Sequence, residues 1–347
     1  MNYVKRLALA GALIVAVAAL FACQAKEKPT LIISTWGLSE DALWKDVYEP
    51  FEEAYKCTIV LEQGNAVERY TKLATNPNSN VDIIELSQKD ASNGYAENLF
   101  SKVDYSKVPN STSLIPAAKT MIGNGYGPAY TLNSIGIIYN PKALGYEIKE
   151  WSDLWRNDLA KKISIPDITT TFGPAMLYVA GDYAGTPVAS DKGAAAFNAL
   201  ADLKRNVVKT YTRSSDLANM FVSGEIAVAV VGDFGYPIIA NAMPDVKWVV
   251  PESGTYANFN TIDIAANSKN KELAQAYINW RLSKDVQSRT VVSLNEAPTN
   301  SQVTLTEEQS RFITYGPVAQ RAKMVDFTLV NPLLTQWVDT WNRTLNN

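Results

Sequence analysis

Asp167-Ile168-Thr169-Thr170-Thr171-Phe172-Gly173 sets three hydroxyls just ahead of a helix start. Free backbone N–H groups and the positive end of a helix dipole make such a turn an anion site. The same residues also serve as plain helix caps, and the sequence leaves both readings open. Trp36-Gly37 stops a short apolar strand, where an aromatic ring can wall a cleft as readily as fill a core. Acid–base and nucleophilic chemistry is poorly provided for. The chain has no histidine, which removes Ser-His-Asp and Cys-His catalysis, histidine zinc sites and histidine proton shuttles. No Ser-x-x-Lys or Gly-x-Ser-x-Gly arrangement stands in a convincing place, so only Asp/Glu or Lys chemistry is left to an enzyme. A binding protein is the stronger reading.

Lys5 and Arg6 precede an uncharged apolar run, residues 7–22, that ends in Leu20-Phe21-Ala22-Cys23. A basic start, a short apolar segment and small residues before a cut are the parts of a secretory signal. The run is about 16 residues, short of the roughly 20 a spanning helix needs. A cysteine directly after the cut resembles a bacterial lipoprotein lipobox, with Phe21 as a looser fit, and the thiol of Cys23 would take the lipid. The competing reading is an ordinary signal or anchor helix with an incidental cysteine. Both place the folded part outside the cytoplasm.

Removing residues 1–22 leaves 30 basic and 35 acidic residues, a formal charge of −5 without a basic tract, so no nucleic-acid surface is expected. The apolar fraction of 47% is ample for two packed cores or one large one. With Cys23 acylated only Cys57 remains, which excludes an intrachain disulfide and reads as a buried small apolar residue.

The elements that must position these residues follow from pattern. Residues 24–29 read as a polar tether and 31–35 as a short buried strand. Ser39 is placed to cap a helix with Leu43, Val47, Phe51 and Tyr55 at four-residue spacing, kinked at Pro50. Strands are predicted at 58–63 and 81–86 with a helix at 67–74 between them. That β-α-β-α-β order implies a parallel sheet covered on both faces, with ligands beyond the carboxyl ends of its strands. Trp36, Gly64-Asn65 and Ser87-Gln88 fall at those ends. After a turn-rich break at 123–128, residues 130–140 predict one or two strands, and 151–155 a helix start capped by Ser152. A strand at 162–166 and a second alternation through 194–203, 227–231 and 247–250 follow. The strand 262–266 and helix 270–282 look like a return to the first lobe.

Trp36, Val81-Asp82-Ile83-Ile84, Ile135-Gly136-Ile137-Ile138-Tyr139-Asn140, Trp151-Ser152-Asp153-Leu154-Trp155 and Ser268-Lys269-Asn270-Lys271-Glu272 come in a telling order. From about Thr30 to the C-terminus the chain resembles extracellular solute-binding proteins of ABC importers, in the spermidine/putrescine-binding branch. The resemblance implies a two-lobe α/β fold of the periplasmic-binding-protein type, a hinge of two crossing strands near 132–138 and 250–261, and a ligand cleft between the lobes. The expected division is a signal at 1–22, a tether at 23–29, a first lobe of 30–132 plus 260–300, and a second of 133–259 plus 301–347. It also implies a monomer that binds a small-molecule solute, meets a membrane permease, and needs no cofactor and no metal.

A polyamine cleft needs carboxylates for the ammonium groups and aromatic walls for the methylenes. By family correspondence Asp167 matches an acid of the amine site and Trp36 an aromatic wall. The Trp-x-Asp pair of the polyamine binders is replaced by Asn258-Phe259-Asn260. Their later aromatic is replaced by Gly232-Asp233, with Phe234 and Tyr236 nearby, and Glu296 stands where they place a tyrosine. Asp233 and Glu296 could restore cation binding. The expected cleft residues are therefore Trp36, Asp167, Asp233, Tyr236 and Glu296, with Asn258, Asn260, Thr170 and Thr171 as the second rank. Related thiamine and aminophosphonate binders carry a similar Thr/Ser-rich turn, so a phosphorylated or phosphonate ligand is the alternative. The C-terminal Trp337 and Trp341 also resemble that branch, although their spacing suits core packing. Ferric iron binders present paired tyrosines, and no Tyr-Tyr pair occurs here.

Overall fold

A computed structural model describes residues 28–346 apart from 38, 77 and 124–126. The apolar leader and Cys23 lie outside the described residues. Twelve strands form one curled mixed sheet: β1 (Thr30–Thr35), β2 (Thr58–Gln63), β3 (Ile83–Ser87), β4 (Phe100–Ser101), β5 (Ala129–Tyr139), β6 (Ile163–Pro166), β7 (Val207–Tyr211), β8 (Val228–Gly232), β9 (Lys247–Val249), β10 (Thr255–Ala265), β11 (Ala297–Pro298) and β12 (Ala322–Met324). The main path runs β2-β1-β3-β10-β5-β8-β6-β7. The expected parallel pairing holds within each lobe, in β2-β1-β3 and in β8-β6-β7.

The two long strands between them break it. β10 is antiparallel to both β3 and β5. β5 is a single strand of 11 buried residues. Its first part pairs with β10 and β11, and from Ile135 onward it pairs with β8 and β9. One continuous strand thus passes from one lobe's sheet to the other's.

Two large apolar cores lie on either side of that crossing. The first gathers Leu31, Ile33, Phe51, Phe259, Tyr277 and Val286. The second gathers Ile137, Ile163, Met176, Leu200, Trp337 and Trp341. Trp337 and Trp341 are therefore core residues of the C-terminal helix Phe327–Trp341, with the Trp337 indole donating to the Lys192 carbonyl at 3.0 Å. Val303 and Ile313 pack in the first core, whereas Val325 and Phe327 pack in the second. The tail thus joins the second core later than the expected break at 301, because residues 303–313 cover apolar surface of the first lobe.

Local expectations fail at two caps. Ser39 sits at φ 51 and its side chain makes no capping bond. The segment 151–155 is a 3-10 turn held by a Glu150/Asp153 box, so Ser152 caps nothing. Pro50 does disturb its helix: a π turn, Trp44–Tyr48, separates Glu40–Leu43 from Glu49–Tyr55. Proline has no N–H to give the Asp46 carbonyl. The Arg289 guanidinium supplies two donors to that oxygen instead, at 3.1 and 2.9 Å.

Candidate functional site

The carboxyl ends of β1, β6 and β7, with β3, converge with the crossing strands on a cavity of about 650 Å³ between the lobes. Ligand sites in proteins commonly have this size. Thr35 ends β1, Trp36 follows it, and Glu85 lies on β3. Thr131 and Asn133 come from β5, and Asn258 and Asn260 from β10. From the second lobe come Thr170, Thr171 and Phe172 beyond β6, residues 212–215 beyond β7, and Phe234 beyond β8.

The floor on the first-lobe side is a buried ionic cluster. Arg281, the last residue of helix Lys271–Arg281, is 1% exposed. Its Nη2 donates to both Glu296 oxygens, at 3.0 and 3.2 Å, and its Nε lies 3.6 Å from Glu85 Oε1. The guanidinium also stacks over the Tyr130 ring at 4.2 Å. Burial works against the Arg281 charge, but Glu296 and then Glu85 outweigh it and hold the group well above its usual range. Burial pushes the Glu85 carboxyl up, opposed chiefly by Arg281 and by a 2.6 Å bond from the Thr35 hydroxyl. Arg69 braces the same floor: it donates to the Ser34 and Glu85 carbonyls and sits 4.7 Å from the centre of the Trp36 ring.

Across the hinge runs a chain of amides. Asn258 donates to Asn260 at 2.8 Å, Asn260 to Asn133 at 3.3 Å, and Asn133 to Asp233 at 2.8 Å. Asp233 is 1% exposed and also accepts from the Phe234 N–H and from the Thr314 N–H and hydroxyl. Burial pushes its carboxyl up to about 6 against the pull of those donors. The acid therefore fixes the direction of the amide chain that faces the cavity.

Of the residues expected at the cleft, Trp36, Glu296, Asn258, Asn260, Thr170 and Thr171 line the cavity. Asp167, Asp233 and Tyr236 are not among its lining residues. Asp167 accepts from the Thr169 N–H and hydroxyl and from the Thr210 hydroxyl, tying the turn together. The Tyr236 ring stacks on Phe312 at 4.1 Å, and Phe234 takes the cavity face, 6.1 Å from Phe172. The sequence reading missed Glu85, Arg281, Tyr130, Asn133 and Arg213. Glu85 alone carried a signal, as an acid inside the otherwise apolar run Val81-Asp82-Ile83-Ile84-Glu85-Leu86.

A curled mixed sheet, two cores and a solute-sized cavity between them define a two-lobed binding protein. The family model for bacterial extracellular solute-binding proteins matches residues 46–314, and the chain belongs to that family. The spermidine/putrescine-binding periplasmic protein 1 of Haemophilus influenzae is 28% identical over 237 residues, 67% of this chain and 65% of the relative. The spermidine/putrescine-binding periplasmic protein of Escherichia coli is 26% identical over 225 residues. That match covers 62% of this chain and 63% of the relative, so these alignments span just under two thirds of the relatives' own length. A crystal structure of an ABC transporter from Clostridium perfringens shares 53% identity, with a TM-score of 0.82 over 91% of this chain and all of the other. The spermidine/putrescine substrate-binding protein of Streptococcus pneumoniae shares the fold at 18% identity and a TM-score of 0.74.

Proposed function

We propose that the chain is the substrate-binding protein of an ABC importer, lipid-tethered through Cys23 on the outer face of the bacterial cell membrane. It captures a small amine-bearing solute, a class that includes the polyamines its relatives are named for, and hands it to a membrane permease. The relatives support a transport role rather than catalysis, as does the want of histidine. The observation that carries the ligand reading is Glu296. Its carboxylate lines the cavity, its side chain keeps 19% exposure, and Arg281 holds it in place. An ammonium there meets a fixed charge, and the Trp36 and Tyr130 rings in the same cavity can face its methylenes.

A phosphorylated or phosphonate ligand is the second reading, favoured by Thr170 and Thr171 on the cavity wall. Against it, the Thr170 hydroxyl already donates to the Asp167 carbonyl at 2.7 Å and accepts from the Gly173 N–H at 3.1 Å. Capture works by favouring the closed arrangement of the lobes, which needs only a few kcal/mol of differential affinity.

A thermal-shift screen of the full-length protein in detergent tests the reading, with putrescine, spermidine, thiamine and 2-aminoethylphosphonate. Ligand at 100 times its dissociation constant adds about 2.7 kcal/mol. A rise with an amine that Glu296→Gln abolishes supports the site. A rise with thiamine alone, insensitive to Glu296→Gln, sinks it.

A further inference from the structure

The two walls of the cavity differ in charge. The first lobe contributes Glu68, Glu85 and Glu296, with Arg281 paired to the last two. On the second-lobe wall Arg213 is the one charged side chain among the described residues that line the cavity. Around it stand hydroxyls, Thr171, Thr212 and Ser215 among them. Asp167 and Asp233, the acids the sequence offered for this side, are engaged in internal hydrogen bonds. Arg213 is exposed, and among the described residues its guanidinium has no ion-pair or hydrogen-bond partner. It stands outside any packed network that would explain it as structure.

From this polarity we infer that the solute is a zwitterion, its ammonium end at Glu296 and its anionic end, a carboxylate or phosphonate, at Arg213 and the neighbouring hydroxyls. The inference rests on the amine-site reading of Glu296. A diamine long enough to reach the second wall would set its far ammonium beside Arg213 with no carboxylate to pair it. Like-charge placement of that kind is how sites reject near-isosteres. A zwitterion meets opposite charge at each end, and by doing so it draws the two lobes together. Arg213 is thus the residue that separates zwitterions from diamines.

Isothermal titration of the full-length protein in detergent tests this with chains matched in length. Putrescine, cadaverine and 1,6-diaminohexane are set against 4-aminobutyrate, 5-aminopentanoate and 6-aminohexanoate, with 2-aminoethylphosphonate as the phosphonate arm. At least one zwitterion is expected to bind about tenfold or more tightly than the matched diamine. Whether a carboxylate or the phosphonate wins identifies the anion. Arg213→Gln should lose the preference and Arg213→Glu should reverse it, both with unchanged melting temperature because the side chain is exposed. Tighter binding of diamines, or a preference that Arg213→Glu leaves intact, overturns the zwitterion while the amine receptor stands. No binding by any amine in the series overturns both.

Discussion

Glu85, within β3, and Asp233, just beyond β8, are buried carboxylates in opposite lobes, and they are held in different ways. Glu85 has a cation: Arg281 lies beside it and pairs with Glu296 as well. Among the described residues Asp233 has only neutral donors, Asn133, Phe234 and Thr314 among them. The ionic arrangement fixes a carboxylate, Glu296, at the cavity surface. The neutral one orients amides along the hinge and presents no acid to the cavity. The difference teaches that counting acids near a cleft does not give its charge; their partners do.

The comparison breaks most sharply at Arg281. Arg281→Met takes from Glu85 its ion-pair partner and leaves Arg69 as the remaining cation nearby, and losing one partner of a buried pair costs about 3–5 kcal/mol. Chemical denaturation of the variant should show a loss of that order, and a loss under about 1 kcal/mol would mean the cluster carries no such charge.

Asp233 should reveal itself through pH. Its folded pKa of about 6 lies above the ordinary carboxyl value of 3.8, so between those values the native state holds more protons than the unfolded chain. Stability therefore falls as pH rises from about 4 to about 6, by roughly 3 kcal/mol for this group. Asp263, buried in the first lobe and bonded by Tyr95 and Thr261, is pushed to about 6 by the same burial and adds a parallel share. Asp233→Asn should remove only its own part of the slope in denaturation curves taken across that range. An unchanged slope would place the Asp233 pKa near the usual value.

The smallest effect falls on a contact between the lobes. The buried Lys89 ammonium donates to the Thr169 carbonyl at 2.6 Å, next to the cavity-lining Thr170. Lys89→Met keeps the stem and removes that bond, for a cost of about 1.5–3 kcal/mol. Solute affinity should weaken several-fold, since the bond favours the closed arrangement. Affinity equal to that of the unaltered protein would show that the contact does not contribute to closure.

Much of this was legible in the chain because local pattern sets it. The strand at 58–63 and the cleft-lining places of Trp36 and Glu296 follow from apolar runs, strand ends and family order. The Glu85–Arg281 pair was not legible, since a buried charge is recognisable only with its partner, which sits far along the chain. Strand-end placement and family correspondence put Asp233 and Tyr236 at the cleft. The 3-10 turn Asp233–Gly235 turns Phe234 to the cavity and leaves its neighbours facing Thr314 and Phe312. Ser39 had the residue type for a cap, but a left-handed backbone removes its side chain from the N–H groups it would accept from.

Hydrogen exchange with and without the solute that binds most tightly tests the central claim, that both walls grip one ligand. The account predicts added protection in 35–37 and 294–296 on the first lobe together with 170–172 and 212–215 on the second. Protection confined to one wall, or appearing only away from the cavity, would contradict it.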